Sequence, residues 1–250
     1  MSKFFRFFAV ILCISNFLNA QSSKLENKEL FFSKEYEKFS QNDDYDGKES
    51  QSLHFSTEFK KFISENPETL LYNFKNLNNK VSIITSEDKK LRFYVWDTEL
   101  GGTMKSFDQI IQYSSNGKVK TIYNKEQSDT PYFISEIIKV PLDNQMYYLV
   151  ISNGIFSTKD MAQAIQAFTI RKDLLIDSDK IFKTKTTTLN KIQVDFDFFS
   201  VVDRPERPLK LTTFDKNKLY IPIVNKDGVV SKKFLVYQLN NNYFQYIGTK

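Results

Sequence analysis

Cysteine is missing from the chain beyond Cys13, and histidine occurs once, as His54. The first absence removes disulfides, thiol nucleophiles and cysteine-ligated metals from everything downstream. The second removes multi-histidine zinc sites and makes any Ser-His-Asp triad depend on one residue in a polar N-terminal segment. Gly-rich phosphate loops, Cys-Cys metal spacings and GxSxG elbows are absent as well. Nothing in the pattern calls for a metal or a cofactor. Long hydrophobic runs are also lacking. The one apolar run, Phe7 to Phe17, follows Lys3 and Arg6 and precedes Leu18-Asn19-Ala20. It is too short to span a bilayer comfortably, and its three regions are those of a secretory signal peptide over 1–20, with cleavage expected after Ala20. Leu12 is too large for a lipoprotein signal at Cys13. The expected location is therefore secreted or periplasmic, with no integral membrane segment after cleavage.

Excess charge is scarce too. The chain carries a net +5, and removing Lys3 and Arg6 leaves +3. With no basic stripe visible along the sequence, nucleic acid is not an expected partner.

What is present is apolar and aromatic. Hydrophobic residues make up 41% and aromatics 15% of the 250 residues, enough for a packed core. The stretch 81–124 reads as four short strands. Leu91, Phe93 and Val95 fall on one face and Arg92, Tyr94 and Trp96 on the other, the period of two expected of a strand. Ser86 to Lys89 and Ser115-Asn116-Gly117 are hairpin turns, and Asp97 to Lys105, with Gly101 and Gly102, is a longer connection. The order of strand, glycine-bearing loop, strand, strand recurs in Met146 to Phe182 around Gly154, and in Leu219 to Ile247 around Gly228. The leading strands expected for the three units are Val81 to Thr85, Phe133 to Val140 and Ile192 to Val201. Pro222 places its strand at an edge or a bulge.

Before the strands, Leu25, Phe32, Tyr36 and Phe39 mark an amphipathic helix. Residues 40–52 read as a linker. Asp43, Asp44 and Asp46 within it lack the terminal Glu of an EF-hand loop. A helix capped by Ser56 carries Phe59, Phe62 and Ile63, and another starts at Asn66-Pro67 and leads through Leu70, Leu71, Phe74 and Leu77. The expected organisation is a signal peptide over 1–20, a helical segment over 21–79 and a β domain over 80–250. The fold class is mainly β: an antiparallel multi-stranded meander, propeller-like or a sandwich, with N-terminal α-helices.

Three places have the residue types of a site. Trp96, Asp97, Glu99 and Thr103, beside the two glycines, set an aromatic ring and two carboxylates next to backbone that a ligand can approach. Arg204 and Arg207 sit on the proline-stiffened run Asp203 to Pro208, where a guanidinium fork suits anions. Asp195 and Asp197 share a strand face, a pattern that a half-exposed sheet also produces. The catalytic set is empty on this reading. The leading expectation is an exported, non-catalytic binding or interaction protein for a small molecule, glycan or protein. The alternative is a carboxylate-dependent glycan hydrolase using Asp97 and Glu99.

The run SEDKKLRFYVWDTELGGTM, with FDFFSVVDRPERP and the export signal, resembles a family of uncharacterised secreted bacterial proteins with a β-rich body. The likeness covers Asn66 to the C terminus and implies that body, but no activity, cofactor or site residue.

Overall fold

The computed structural model describes residues 23–123 and 130–250. The expected signal peptide, Cys13 and Asn124 lie outside them. The chain divides into two compact units, Met1–Lys80 and Val81–Lys250.

In the first unit, helix α1 spans residues 23–40 and α2 spans Tyr45–Glu65. Leu25, Phe32, Tyr36 and Phe39 are all buried, as their spacing predicts. The Phe32 ring meets Phe55, Phe59 and Phe62 of α2 at centroid distances of 5.9, 5.1 and 5.2 Å. The expected linker over 40–52 is mostly helix. Asp44 caps α2 by accepting from Gly47 N at 2.9 Å, which explains one of the aspartates, and Ser56 is buried inside the helix rather than starting it. The expected helix after Asn66 shrinks to a 3₁₀ turn over Pro67–Leu70. Beyond it, the buried carboxylate of Glu29 accepts from the backbone N–H groups of Asn76 and Leu77 and from Tyr72 Oη, so these amides need no helical partners.

Among the described residues, the second unit holds fifteen strands in three sheets. The first sheet is a meander of β1 (Ser82–Thr85), β2 (Leu91–Asp97), β3 (Phe107–Ser115) and β4 (Lys118–Ile122). The second orders β11 (Lys191–Asp197), β7 (Asp160–Arg171), β6 (Gln145–Ile155) and β5 (Tyr132–Leu142), with β8 (Leu174–Ile176) also on β7. The third runs β10 (Thr188–Leu189), β9 (Phe182–Lys183), β15 (Phe244–Thr249), β14 (Val230–Leu239), β13 (Lys218–Val224), β12 (Thr213–Asp215).

The middle sheet supplies side chains to two cores. Tyr147, Leu149 and Ile151 of β6 pack with Phe182, Leu219, Ile221 and Phe244 of the third sheet. Tyr148 and Val150, one residue out of phase, pack with Leu91, Phe93 and Val95 of the first. A strand buried on both faces needs an unbroken apolar run, and MYYLVIS is one.

Three strand expectations change. Ile192 to Val201 does not lead the third unit: β11 pairs with β7 at the edge of the second sheet, and the short β12 leads the third. The last strand of the repeat expected over Met146 to Phe182 divides between sheets, with β8 on β7 and β9 in the third sheet. The antiparallel rule also has an exception, because β15 pairs with β9 in parallel. Pro222 does mark a bulge, where the β13–β14 register shifts.

Candidate functional site

The connections joining β2 to β3, β6 to β7 and β13 to β14 converge. They cover 98–106 in the first sheet, 156–159 in the second and 225–229 in the third. The second does not contain Gly154, around which the sequence places a loop, because β6 continues to Ile155 and β7 starts at Asp160. Backbone hydrogen bonds join the three into a row. Lys105 N donates to Ile155 O at 3.1 Å, Phe198 N to Lys159 O at 2.8 Å, and Asp197 N to Gly228 O at 2.8 Å.

Two glycines permit close backbone approaches, one within the first connection and one between the third connection and β11. A Cβ on Gly101 would lie 2.3 Å from Met104 O, and one on Gly228, where φ is +81°, would lie 3.1 Å from Asp197 N. Between the second and third connections opens a cleft of about 600 Å³, bordered by Lys159, Asp160, Asp195, Asp197, Lys226 and Asp227. Asp197 and Asp160 are direct cross-strand partners, so two carboxylates from different strands reach the same rim. Each is engaged: Asp160 accepts from Ser157 Oγ at 2.8 Å, and Asp197 accepts from Phe199 N at 2.9 Å and pairs with Lys159 at 3.5 Å. Asp195 is exposed and accepts from Gln193 Nε2 at 2.8 Å.

Behind the rim, Tyr132 lies against Gly154, its cross-strand partner, and donates to Gln193 Oε1 at 3.0 Å. The Lys191 ammonium sits 5.0 Å from the Tyr132 ring centroid. Burial lowers the Lys191 pKa, an effect that Asp195 opposes, and burial also raises that of Tyr132.

The residues singled out by sequence separate into groups. Trp96 is 1% exposed, so its ring offers no surface platform. Asp97 is bound at the root of the first connection, paired with Lys105 at 2.8 Å and accepting from Glu99 N at 2.8 Å. The Lys105 pKa is raised, chiefly by that hydrogen bond. Glu99 takes a positive φ of 59°, and Thr103 is exposed at the tip. The guanidinium of Arg207 donates to carbonyls of its own loop: Arg204 O at 2.6 Å, Glu206 O at 2.7 Å and Val202 O at 3.0 Å. It also lies over the Phe198 ring at 5.5 Å. It therefore staples the run 202–207 rather than presenting a free fork, while Arg204 is half-buried and lends its carbonyl to the staple.

Sequence reasoning had the glycine-bearing connections and Asp195 and Asp197, but missed Lys159, Asp160, Gln193 and Lys226. The one signal for these was the turn sequence Asn225-Lys226-Asp227-Gly228. Among the described residues, no group of three or more His, Cys, Asp or Glu side chains is placed to hold a metal. No described helix is long and apolar enough to cross a membrane.

The class these observations define is a mainly β protein of antiparallel sheets with two N-terminal helices. No family model, curated protein or solved structure matches the chain.

Proposed function

We propose that the chain is an exported, non-catalytic binding protein whose recognition face is the end of the β unit carrying the connections 98–106, 156–159 and 225–229. The observation that carries this reading is the backbone bonding of these connections into one row beside a cleft, with strands of 7 to 12 residues holding the two connections that border it. Glu99 and Thr103 would form the outer part of the face, and the Lys159 to Asp160 and Asn225 to Gly228 segments its floor. The bonds made by Asp97, Asp160 and Asp197 within the protein support binding over hydrolysis, because each carboxylate already holds a turn or a lysine. On the same reading, the sheets are three blades of an open, propeller-like array, since each keeps one of these three connections at the same end.

A thermal-shift screen of the protein against oligosaccharides, short peptides and organic anions tests the proposal, because a ligand of the native state raises the melting temperature by mass action. Hits should weaken in Asp195→Ala and Lys226→Ala and persist in a control altered at the opposite end, such as Asn242→Ala. Hits indifferent to both cleft variants would refute the assignment. Turnover of a glycan that disappears in Asp97→Asn would favour the hydrolase reading instead.

A further inference from the structure

The third sheet turns one face to the core and the other outward. Leu219, Ile221, Tyr237 and Phe244 point inward, so the alternate residues of the same strands share the outer face. Register lines them up in rows. One row crosses five strands as Asp215, Lys218, Gln238, Gln245 and Lys183. The next row holds Tyr220, Val236 and Gly248, and Lys250 follows beside Phe234.

The residues placed on this face carry three lysines, Lys183, Lys218 and Lys250, against one carboxylate, Asp215. No basic stripe is visible along the sequence because β9 and β13 are separated by some thirty residues; strand pairing creates it. Among the described residues, none of these three lysines forms an ion pair. A sheet face with a positive balance attracts a polyanion.

We infer that this outer face binds an acidic polysaccharide, at a surface separate from the cleft. Neighbouring strands lie about 4.8 Å apart, close to the length of one pyranose unit. A sugar chain lying across the strands would therefore meet an ammonium, two amides and a second ammonium at successive residues. Lysine suits this role, because a compact charge follows spaced carboxylates without the planar fork by which arginine grips one group. Gly248 leaves a shelf, since a Cβ there would meet nothing within 4 Å. A lipid surface fits less well, because apart from Ile247 the apolar side chains of this face lie low, with Val236 at 7% exposure. A nucleic acid fits less well because the Tyr220 ring, which a base would need for stacking, is covered by the Lys250 ammonium at 5.7 Å.

The test is retention of the full chain on immobilised polygalacturonate, with dextran, phosphatidylglycerol vesicles and duplex DNA as comparisons. Retention on polygalacturonate should fall steeply with added salt, and dextran should retain nothing. The triple variant Lys183→Gln, Lys218→Gln, Lys250→Gln should lose at least tenfold in affinity and show a shallower salt dependence, with unchanged circular dichroism. The triple variant Lys24→Gln, Lys28→Gln, Lys38→Gln removes the same charge from α1 and should bind like the parent. Equal loss in both triples, tighter binding to vesicles or DNA than to polygalacturonate, or no retention on polygalacturonate would each overturn the inference.

Discussion

The two ends of the β unit close their strands differently. At one end, four hairpins turn in two residues: Asn116-Gly117, Asp143-Asn144, Lys172-Asp173 and Lys216-Asn217. All eight residues have positive φ, from 47° to 75°, the geometry whose twist matches paired strands. These turns also interlock. Asp173 accepts from Asn116 Nδ2 at 2.8 Å through its side chain, and from Tyr113 Oη at 3.1 Å and Lys120 Nζ at 2.8 Å through its carbonyl. Asp143 N donates to Asn241 O at 2.9 Å. At the other end, the connections are longer and enclose the cleft. Register is thus set where the chain has least freedom, and the opposite end is released to vary in length and chemistry.

The longer end still needs an anchor, and breaking it should have the largest effect. Gln163, 1% exposed, donates to Leu209 O at 2.7 Å and Asn153 Oδ1 at 2.8 Å, and accepts from Thr212 N at 2.6 Å. This amide holds the segment leaving the Arg204 to Pro208 run against β7. Gln163→Ala strands buried backbone groups, at about 3 kcal/mol in total. Urea unfolding measures it, and a loss below about 1 kcal/mol would mean that the segment is held by other contacts.

Insertions compare the ends directly. One glycine between Lys172 and Asp173 breaks the two-residue turn and the three bonds to Asp173, for a loss of about 2 to 3 kcal/mol at roughly 1 kcal/mol per bond. Three glycines after Gly102 lengthen a connection that is already open, and loop closure predicts under about 1 kcal/mol. Equal losses would erase the distinction between the ends.

The same contrast governs what the sequence disclosed. Alternation in LRFYVWD revealed β2, because period two is local, and the glycines of the first and third connections were visible as residue types, whereas 156–159 has none and Gly154 lies within β6. The sheet that a strand joins is not local: Asp195 and Asp197 alternate identically whether β11 pairs with β7 or with β13. Turns without glycine were equally hidden, since Lys172 and Lys216 adopt left-handed backbone only because the strands demand it. In the helical unit, the structure at Tyr72, Asn76 and Leu77 depends on Glu29, more than forty residues earlier. Glu29 did carry a signal, as it continues the spacing of Leu25, Phe32 and Tyr36 and places a charge in an apolar stripe. Trp96 was misread for a related reason: its face of β2 is buried as fully as the Leu91, Phe93 and Val95 face.

Alkaline pH probes the tight end. The Tyr147 hydroxyl donates to Asp179 at 2.8 Å, and its pKa is pushed up to about 12, first by burial and then by that bond and the carboxylate charge. An unfolded tyrosine titrates near about 10. The protonated phenol therefore contributes stability that is complete below about pH 10 and declines as pH rises towards 12. Denaturant unfolding at several pH values should show this decline in the parent and a smaller one in Tyr147→Phe. Identical slopes would remove Tyr147 as a contributor.

The smallest effect separates a staple from a binding group. Arg207 is exposed, yet its guanidinium satisfies three carbonyls of a single loop, so its loss should cost stability and leave recognition alone. Lysine at this position keeps the charge but cannot reach the three acceptors in one plane. Arg207→Lys should therefore destabilise the protein by about 0.5 to 1 kcal/mol, the scale of exposed hydrogen bonds, and Arg207→Gln by a similar amount. If Arg207 instead grips an anion, Lys retains part of the affinity, Gln abolishes it, and stability hardly changes in either. Paired melting curves with and without citrate distinguish the two: a common drop in both variants with no change in the citrate response assigns Arg207 to the loop, whereas a citrate response lost only in Arg207→Gln moves it to the recognition face.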